Sequence, residues 1–315
     1  MGRAIRIGLE AIIVLALIGA GYWYYGLDGS VPEATDQRLD IAAWRELIRD
    51  DTPQLPTDIR VEFIGRDLIP FAAVEAGGVW APFTMARTAF QVNGAVGSVI
   101  IDTGMDKEIA RAFERDGQSN YDEKAYGRVI AAMGHAVRVA VTNEHADHIG
   151  GVARHPNAEA LATRLALTRT QLDGLAKHAP GGVMPAAFAG VEPIAHDGPQ
   201  RVAPGIVMIP ADGHTPGSVM YFIRMWGGRE VLFIGDIAWS VSNVRTPAVR
   251  PRLMQDFLMS PPEDRSRVSA QVRALHELSK AERNLTVVPS HDEGHLLRLI
   301  EAGIFRERFV APDTP

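Results

Sequence analysis

Three ligand-type side chains stand within four residues at His145-x-Asp147-His148, in a run that ends in Gly150-Gly151. So dense a group rarely serves packing. Three further candidates follow in order: His214 in Asp212-Gly-His-Thr-Pro-Gly217, Asp236 in Phe233-Ile-Gly-Asp236, and His291 in Val288-Pro-Ser-His291-Asp292. Taken singly these are weak signals, because a lone His after a strand is usually a surface or core residue and a Gly-Asp pair is usually a turn or cap. Taken as a series they offer what a metal-assisted hydrolase needs. Neutral imidazoles suit a borderline ion such as Zn²⁺, and carboxylates balance its charge and bridge. The chain has no cysteine, which excludes disulfides, thiolate ligands and cysteine nucleophiles together.

Each candidate lies at the end of an apparent strand or just beyond it, where a ligand is held more rigidly than on a free loop. Apolar, β-rich runs occupy Val61–Ile64, Thr88–Val92 and Val99–Ile101. Helical patterns follow at 107–115 and 123–133, and the strand Ala136–Val141 leads into the first cluster. A helix-rich stretch over 160–187, with a possible hinge at Gly181-Gly182, is placed to roof a cleft. Strands return at Ile206–Ile209, Val219–Met225 and Val231–Ile234. A long helix over 262–281, a strand at Leu285–Val288 and a helix over 293–301 complete the chain. Strands and helices in two such series predict a layered α/β domain. His135, His155, His178, His196 and His276 fall outside any motif and read as ordinary residues, with His295 a weak candidate for supporting a ligand. Trp239, three residues past Asp236, is a better candidate for lining a pocket than Trp226.

With 315 residues, 46% hydrophobic and 22% charged, the chain can bury a sizeable core. A net charge of −6 without basic runs predicts no nucleic-acid partner. Residues 1–29 read as an N-terminal signal anchor. Ile7–Leu27 is apolar apart from Glu10 and the polar edges of its aromatic residues, close to the roughly 20 residues that cross a bilayer. Arg3 and Arg6 precede it, whereas Asp28, Glu33 and Asp36 follow it, which predicts a cytoplasmic N-terminus and an extracytoplasmic (periplasmic) domain. Tyr22–Tyr25 would form an interfacial aromatic belt. The rival is a cleaved signal peptide, which would leave a secreted or periplasmic soluble protein. Ile18-Gly19-Ala20 puts a bulky residue where a cleavage site wants a small one, which favours the anchor. Residues 30–57 read as a linker with a short amphipathic helix, Ile41–Ile48, that docks on the domain of residues 58–315. One span does not suggest a transporter or channel.

The ordered motifs resemble the metallo-β-lactamase superfamily, whose signature is His-x-His-x-Asp-His followed by His, Asp and His. Ile100-Ile-Asp102-Thr-Gly104 also resembles its early strand-turn, in which the Asp supports the metal loop. The resemblance covers roughly residues 58 to 305. It implies a four-layer αββα sandwich, preceded here by the transmembrane helix, with metals in a cleft at the edge of two sheets. The metal is expected to be zinc, as one or two ions, with Fe or Mn as alternatives. The sequence departs from the signature at its first position, where it has Asn143. By family roles, His145 and His214 would hold one metal with Asn143 as a weak amide ligand. Asp147, His148 and His291 would hold the other, and Asp236 would bridge. Glu144, the x residue, should point away. Asp102 and Asp292 are the carboxylates expected behind ligating imidazoles, although Asp292 could equally cap the following helix.

The resemblance implies a hydrolase that uses a metal-activated hydroxide on an ester, lactone, thioester or similar small molecule, with Asp147 orienting the water and accepting its proton. Asp236 resembles the bridging carboxylate of the lactonase and glyoxalase groups. The alternatives are a weakened or inactive metal-binding scaffold and a mono-zinc β-lactamase-like enzyme.

Overall fold

The computed structural model of the chain describes residues 3–113 and 120–310. It opens with helix α1 (Arg3–Tyr22), which runs into a π-helical turn at Trp23–Leu27. Together Ile5–Leu27 is long and apolar enough to cross a membrane, and its side chains are unburied. Helix α2 (Ile41–Leu47) follows, capped by Asp40, whose side chain accepts from Ala43 N at 3.0 Å. The expected linker helix thus forms. Its apolar stripe is Ile41, Trp44 and Ile48, and all three are buried. The Trp44 ring lies 5.7 Å from Phe222, and Arg45 pairs with Glu230 at 2.6 Å and Glu282 at 2.8 Å.

The first series comprises β1 (Asp58–Pro70), β2 (Pro82–Gly94), β3 (Gly97–Ile101), α3 (Lys107–Arg111), α4 (Glu123–Met133), β4 (Arg138–Ala140), α5 (Ala146–Ala153), α6 (Ala158–Ala162) and α7 (Arg169–His178). The second comprises β5 (Gln200–Ala203), β6 (Ile206–Pro210), β7 (Val219–Arg224), β8 (Glu230–Gly235), α8 (Val241–Arg245), α9 (Arg265–Ala281), β9 (Leu285–Pro289), α10 (Glu293–Glu301) and β10 (Arg306–Glu307). The strands form two five-stranded sheets, ordered β10-β1-β2-β3-β4 and β5-β6-β7-β8-β9.

Period-2 alternation explains the layering. In β8, Val231 and Phe233 point between the sheets, whereas Leu232 and Ile234 point outward. The inner cluster joins Ile59, Val61, Phe63 and Phe90 of the first sheet to Met208, Tyr221 and Phe233 of the second. Outside the second sheet, α2 and α9 cover Val207, Ile209, Phe222 and Leu232. Outside the first, α4, α5 and α7 cover Ile100, Val139 and Val141. The result is the expected αββα sandwich.

The elements differ from the sequence reading in four places. The arms β1 and β2 run well past the expected 61–64 and 88–92, because a bulge between Phe63 and Gly65 lets a polar, irregular stretch (Arg66-Asp67-Leu68) continue the pairing with Thr84–Arg87. Strands β5 and β10 are short and polar edge strands, which carry no hydrophobic run. Helix α9 begins at Arg265, capped by Asp264, rather than at 262. Of the helix expected over 107–115, the structure shows Lys107–Arg111, and residues 114 and 115 lie outside the described residues.

Candidate metal centre

The centre is assembled where strands of both sheets end. On the first sheet, β3 finishes in Asp102, which adopts φ 59°, a left-handed conformation that Asp tolerates better than most residues. That turn aims its carboxylate at the neighbouring loop. It accepts from Thr142 N at 2.7 Å and lies 2.9 Å from His148 Nδ1. The loop from β4 then enters α5, with His145 as its N-cap residue. Thr103 N and Oγ1 both donate to His148 O, at 2.8 and 2.7 Å, and Gly151 N donates to Gly104 O at 2.9 Å. Glycine is required at 151, because a Cβ there would lie 2.5 Å from Thr103 O.

The second sheet supplies the remainder. His214 lies in the loop after β6, Asp236 just past β8 and His291 just past β9. Gly235 has φ 53° and a Cβ there would sit 2.8 Å from Thr142 Cβ, so this glycine lets the two sheets' loops meet. Glu144 faces away from the centre, as expected for the x residue. It accepts from Thr215 Oγ1 at 2.6 Å and Gly217 N at 3.2 Å, which ties the loop of one sheet to the loop of the other.

Two groups of ligand-type atoms result, each within 4.8 Å: His145, His214 and Asp236, and Asp147, His148 and His291. Asp236 stands between them. Its Oδ1 is 3.0 Å from His291 Nε2 and 3.3 Å from His148 Nε2, and its Oδ2 is 3.2 Å from His214 Nε2. Yet His148 Nε2, His291 Nε2 and Asp236 Oδ1 are buried without a hydrogen-bond partner. Buried polar atoms are rarely left unpaired. Three of them converging from three elements, two imidazole nitrogens and a carboxylate oxygen, fit coordination of a divalent ion.

The electrostatics agree. Burial disfavours a charged His148 and His214, but Asp236 and Asp102 around the first, and Asp236 and Glu263 around the second, override it and raise both. Burial also pushes Asp147 and Asp236 up, and the surrounding cationic groups hold both well below the ordinary carboxylate range. The pocket is thus built to attract positive charge. His145 differs: burial, with His214 beside it, lowers its imidazole to about 4, so it is neutral and ready to ligate.

The outer contacts are partly as expected. Asp102 stands behind His148. Asp292 does not stand behind His291, whose Nδ1 instead donates to Ala86 O at 2.6 Å. Asp292 caps α10 by accepting from His295 N at 2.9 Å, and its other oxygen accepts from Ser240 Oγ at 2.8 Å and Val241 N at 3.0 Å. Of its two expected roles, it performs the cap. Asn143 lies beside the centre with its Oδ1 accepting from His145 N at 2.8 Å, while its Nδ2 is buried without a partner.

Sequence reasoning missed two charged pairs. Glu263 accepts from His214 Nδ1 at 2.5 Å and is itself bonded to Arg250, whose Nη2 also donates to Asp236 O at 2.9 Å. Burial raises Glu263, but Arg250 and His214 bring it down to about 2. On the other side, buried Arg87 pairs with Asp147 Oδ2 and with Asp67 at 2.6 Å. No spacing rule could have found either pair, since each closes across elements far apart in sequence.

The centre opens into a cavity of about 740 Å³. Trp239 lines it, as expected, whereas Trp226 is exposed at the turn after β7. His178, read as ordinary, lines the cavity with Lys177, and these two residues are the part of the 160–187 insert that reaches it. Gly181 and Gly182 are exposed. The cavity's apolar wall comes from Ile69 and Pro70 at the end of the long arm of β1, from Ala73 just beyond it, and from Met254, Leu258 and Met259. His295 donates to Val287 O at 3.0 Å and plays no part in the centre.

The comparisons with known proteins point the same way. The sequence profile of the metallo-beta-lactamase superfamily matches residues 88–291, more than half of the chain. A search of curated proteins finds no match. Among solved structures, an N-acyl homoserine lactone hydrolase with N-hexanoyl-L-homoserine bound at its catalytic metal centre superposes with a TM-score of 0.57 at 18% identity. That alignment covers 78% of this chain and 96% of the other. A probable metal-dependent hydrolase from Staphylococcus aureus gives 0.54 at 14% identity, covering 76% and 91%. A dizinc quorum-quenching lactonase gives 0.52 at 13%, covering 76% and 89%. At these identities the likeness is one of fold.

Proposed function

Because the chain belongs to the metallo-β-lactamase superfamily, we propose that it is a zinc-dependent hydrolase of an ester, lactone, thioester or similar small molecule. The observation that carries this reading is the convergence of two three-residue groups on one shared carboxylate, Asp236, with unpaired nitrogens facing it. In the proposal His145, His214 and Asp236 hold one ion, and Asp147, His148 and His291, with Asp236 shared, hold the other. Asn143 shapes the loop through His145 N rather than serving as a strong ligand. When bound, zinc would supply an activated water near neutral pH and polarise the carbonyl oxygen of the group being attacked.

The chain's own residues do the rest. Asp147 stays ionised beside Arg87, so it accepts a hydrogen bond from the attacking water and orients it; it is the residue we assign to catalysis. Asp102 and Glu263 fix the ring orientation of His148 and His214. At the cavity wall Lys177 offers a donor to a polar part of the substrate, while His178, whose Nε2 donates to Glu144 O at 2.9 Å, leaves Nδ1 as an acceptor. Trp239 lines the cavity beside the centre. The shared carboxylate resembles the lactonase arrangement, and this favours a lactone or other carboxylic ester over a β-lactam.

Metal per chain tests the reading, measured by elemental analysis of the metal-replete full-length protein beside an Asn143→His variant. We expect two ions of unequal affinity in the wild type and a smaller gap in the variant. One ion in both proteins would refute the His145–His214 half. No metal in either would leave only the scaffold reading.

We also propose that Ile5–Leu27 is retained as a membrane anchor with the αββα domain on the extracytoplasmic side. The residues after the span support this, because they are built into the domain. Asp28 pairs with Arg252 at 3.0 Å, Arg265 donates to Asp28 O at 2.5 Å, and Val249 N donates to Gly29 O at 3.1 Å. Mass spectrometry of the mature N-terminus from a membrane fraction tests retention. A start near residue 21 would refute it.

A further inference from the structure

The two segments that wall the apolar side of the cavity both touch the end of the N-terminal span. One is the π-helical turn Leu253–Leu258, whose Met254 and Leu258 line the cavity. Its Phe257 ring lies 5.7 Å from the Tyr25 ring, and the Arg252 guanidinium just before it sits 4.3 Å over Tyr24. The other is the end of β1 and its connection to β2, which carry Ile69, Pro70 and Ala73 into the cavity wall before the chain returns to the span, where Gly77 N donates to Gly26 O at 3.2 Å. Both segments also leave large apolar side chains in solvent. Trp80 is 76% exposed and Phe257 64%, with Leu68, Val79, Leu253 and Leu258 exposed beside them. Isolated exposed apolar residues need no explanation, but a set on the two segments that meet the exit of a membrane-spanning helix does. Trp23, Tyr24 and Tyr25 at that exit are themselves exposed aromatics of the kind that sit at headgroup level.

We infer that the cavity mouth rests on the bilayer: the exposed rim of residues 68–80 and 253–258 inserts into the lipid surface beside the anchor, and the substrate is an amphiphile drawn from that bilayer. The cavity suits such a molecule. Its apolar wall, with Ile69, Met254 and Leu258, lies toward the rim, while Arg87, Lys177 and His178 supply a polar wall near the metal centre. An acyl chain would follow the first wall and a polar or anionic head the second. The lipid contact rests on the anchor reading of Ile5–Leu27 above, and the substrate class on the hydrolytic reading. In that reaction the oxygen of water bonds to the acyl carbon and the ester C–O bond breaks. The product acid keeps that oxygen, and the departing alkoxide takes the proton.

The absence of cysteine makes the lipid contact directly testable. Single cysteines would be placed by Trp80→Cys, Phe257→Cys and Trp226→Cys in the full-length protein, and each would carry a nitroxide. The protein is then reconstituted into phosphatidylcholine–phosphatidylglycerol vesicles. Trp226 is a matched control, 61% exposed but preceding β8, whose other end leads into the metal centre. We expect labels at 80 and 257 to collide with oxygen in preference to a water-soluble nickel complex, and the label at 226 to show the reverse. Three equally aqueous labels would overturn the proposal. The substrate class is tested in the same vesicles with a Trp80→Ser/Phe257→Ser variant, using 4-nitrophenyl palmitate in the lipid and 4-nitrophenyl acetate in the water. Hydrolysis of the palmitate should fall about tenfold or more, in line with the loss of two inserted aromatic or apolar side chains, with the acetate unchanged. Equal effects on both esters would overturn the bilayer route. Wild-type inactivity on both would overturn the hydrolytic reading and with it the substrate class, and the labels would still decide the lipid contact.

Discussion

His145 and His148 stand three residues apart on one loop, yet their surroundings differ. His148 is buried, with its Nδ1 2.9 Å from Asp102 and 3.0 Å from Thr142 Oγ1, and the loop carrying it is pinned by Thr103. His145 is only partly buried, and its Nδ1 faces the His214 imidazole at 3.0 Å. The two halves of the centre follow suit. The half with Asp147, His148 and His291 is the closed one: all three are buried, and Asp147 alone of them lines the cavity. The half with His145 and His214 opens on the cavity and has an amide, Asn143, where the signature has another imidazole. We expect the strength of each half to depend on the carboxylates standing behind its candidate ligands as well as on the ligands themselves. The closed half has Asp102, and the open half has Glu263 behind His214 alone.

The largest expected effect falls on the residue the halves share. Asp236→Ala removes Oδ1 from the closed half and Oδ2 from the open half at once. Metal content should drop in both. Turnover should fall by more than the roughly 10–100-fold typical of losing a ligand's supporting partner. A variant that kept one tightly bound ion would show that the closed half does not need the bridge, and the comparison would then become one of two independent sites.

Supporting carboxylates come next. Asp102→Asn should weaken the tighter step of a zinc titration by about 10–100-fold, and Glu263→Gln should weaken the looser step by a similar factor. Calorimetric titration of each variant reads both steps. If the two substitutions moved the same step, the halves would not be separable in the way their geometry suggests.

Arg87 should act on stability rather than on one step of the titration, and the sign of its effect is informative. The Asp147 Oδ2 that Arg87 holds is also the oxygen nearest His291 Nε2, at 3.7 Å. An ion held by Asp147 would therefore neutralise the same charge as Arg87. Arg87→Met should destabilise the metal-free protein by about 3–5 kcal/mol, as expected when one partner of a buried pair is removed. Zinc should then restore more stability than it gives the wild type, because binding to the folded state adds to stability. Thermal melts with and without zinc test this. An unchanged zinc increment would mean that Arg87 and the metal do not share Asp147.

Much of this was legible in the sequence, for identifiable reasons. The layers follow from apolar alternation in runs such as Val231–Ile234, which bury one face inward and one outward. The candidate ligands were legible because Asp147, His148, His214, Asp236 and His291 each follow an apolar strand closely. Asp102 was legible as part of a strand-turn. Arg87, Glu263 and Arg250 were not, since a buried ion pair is fixed by tertiary closure and leaves no local pattern. The long arms of β1 and β2 were hidden by their own polarity, and with them the apolar wall of the cavity. Lys177 and His178 were hidden because a helix end shows its role only by what it faces.

Asp292 draws the finest line between the halves, because it adjoins a ligand of the closed half without supporting it. Its carboxylate is fully engaged with His295 N, Ser240 Oγ and Val241 N, and His291 is held instead by Ala86 O. Asp292→Ala should therefore cost about 0.5–2 kcal/mol, the usual value of an N-cap, and leave zinc affinity unchanged. Asp292→Asn should recover only part of that stability, since its amide oxygen can still cap α10 while its amide nitrogen cannot accept from Val241 N. Equilibrium denaturation and a zinc titration on the pair separate cap from charge. If zinc affinity fell in both variants, the negative charge of Asp292 would be acting on His291 through space. The closed half would then owe its strength to two carboxylates rather than to Asp102 alone.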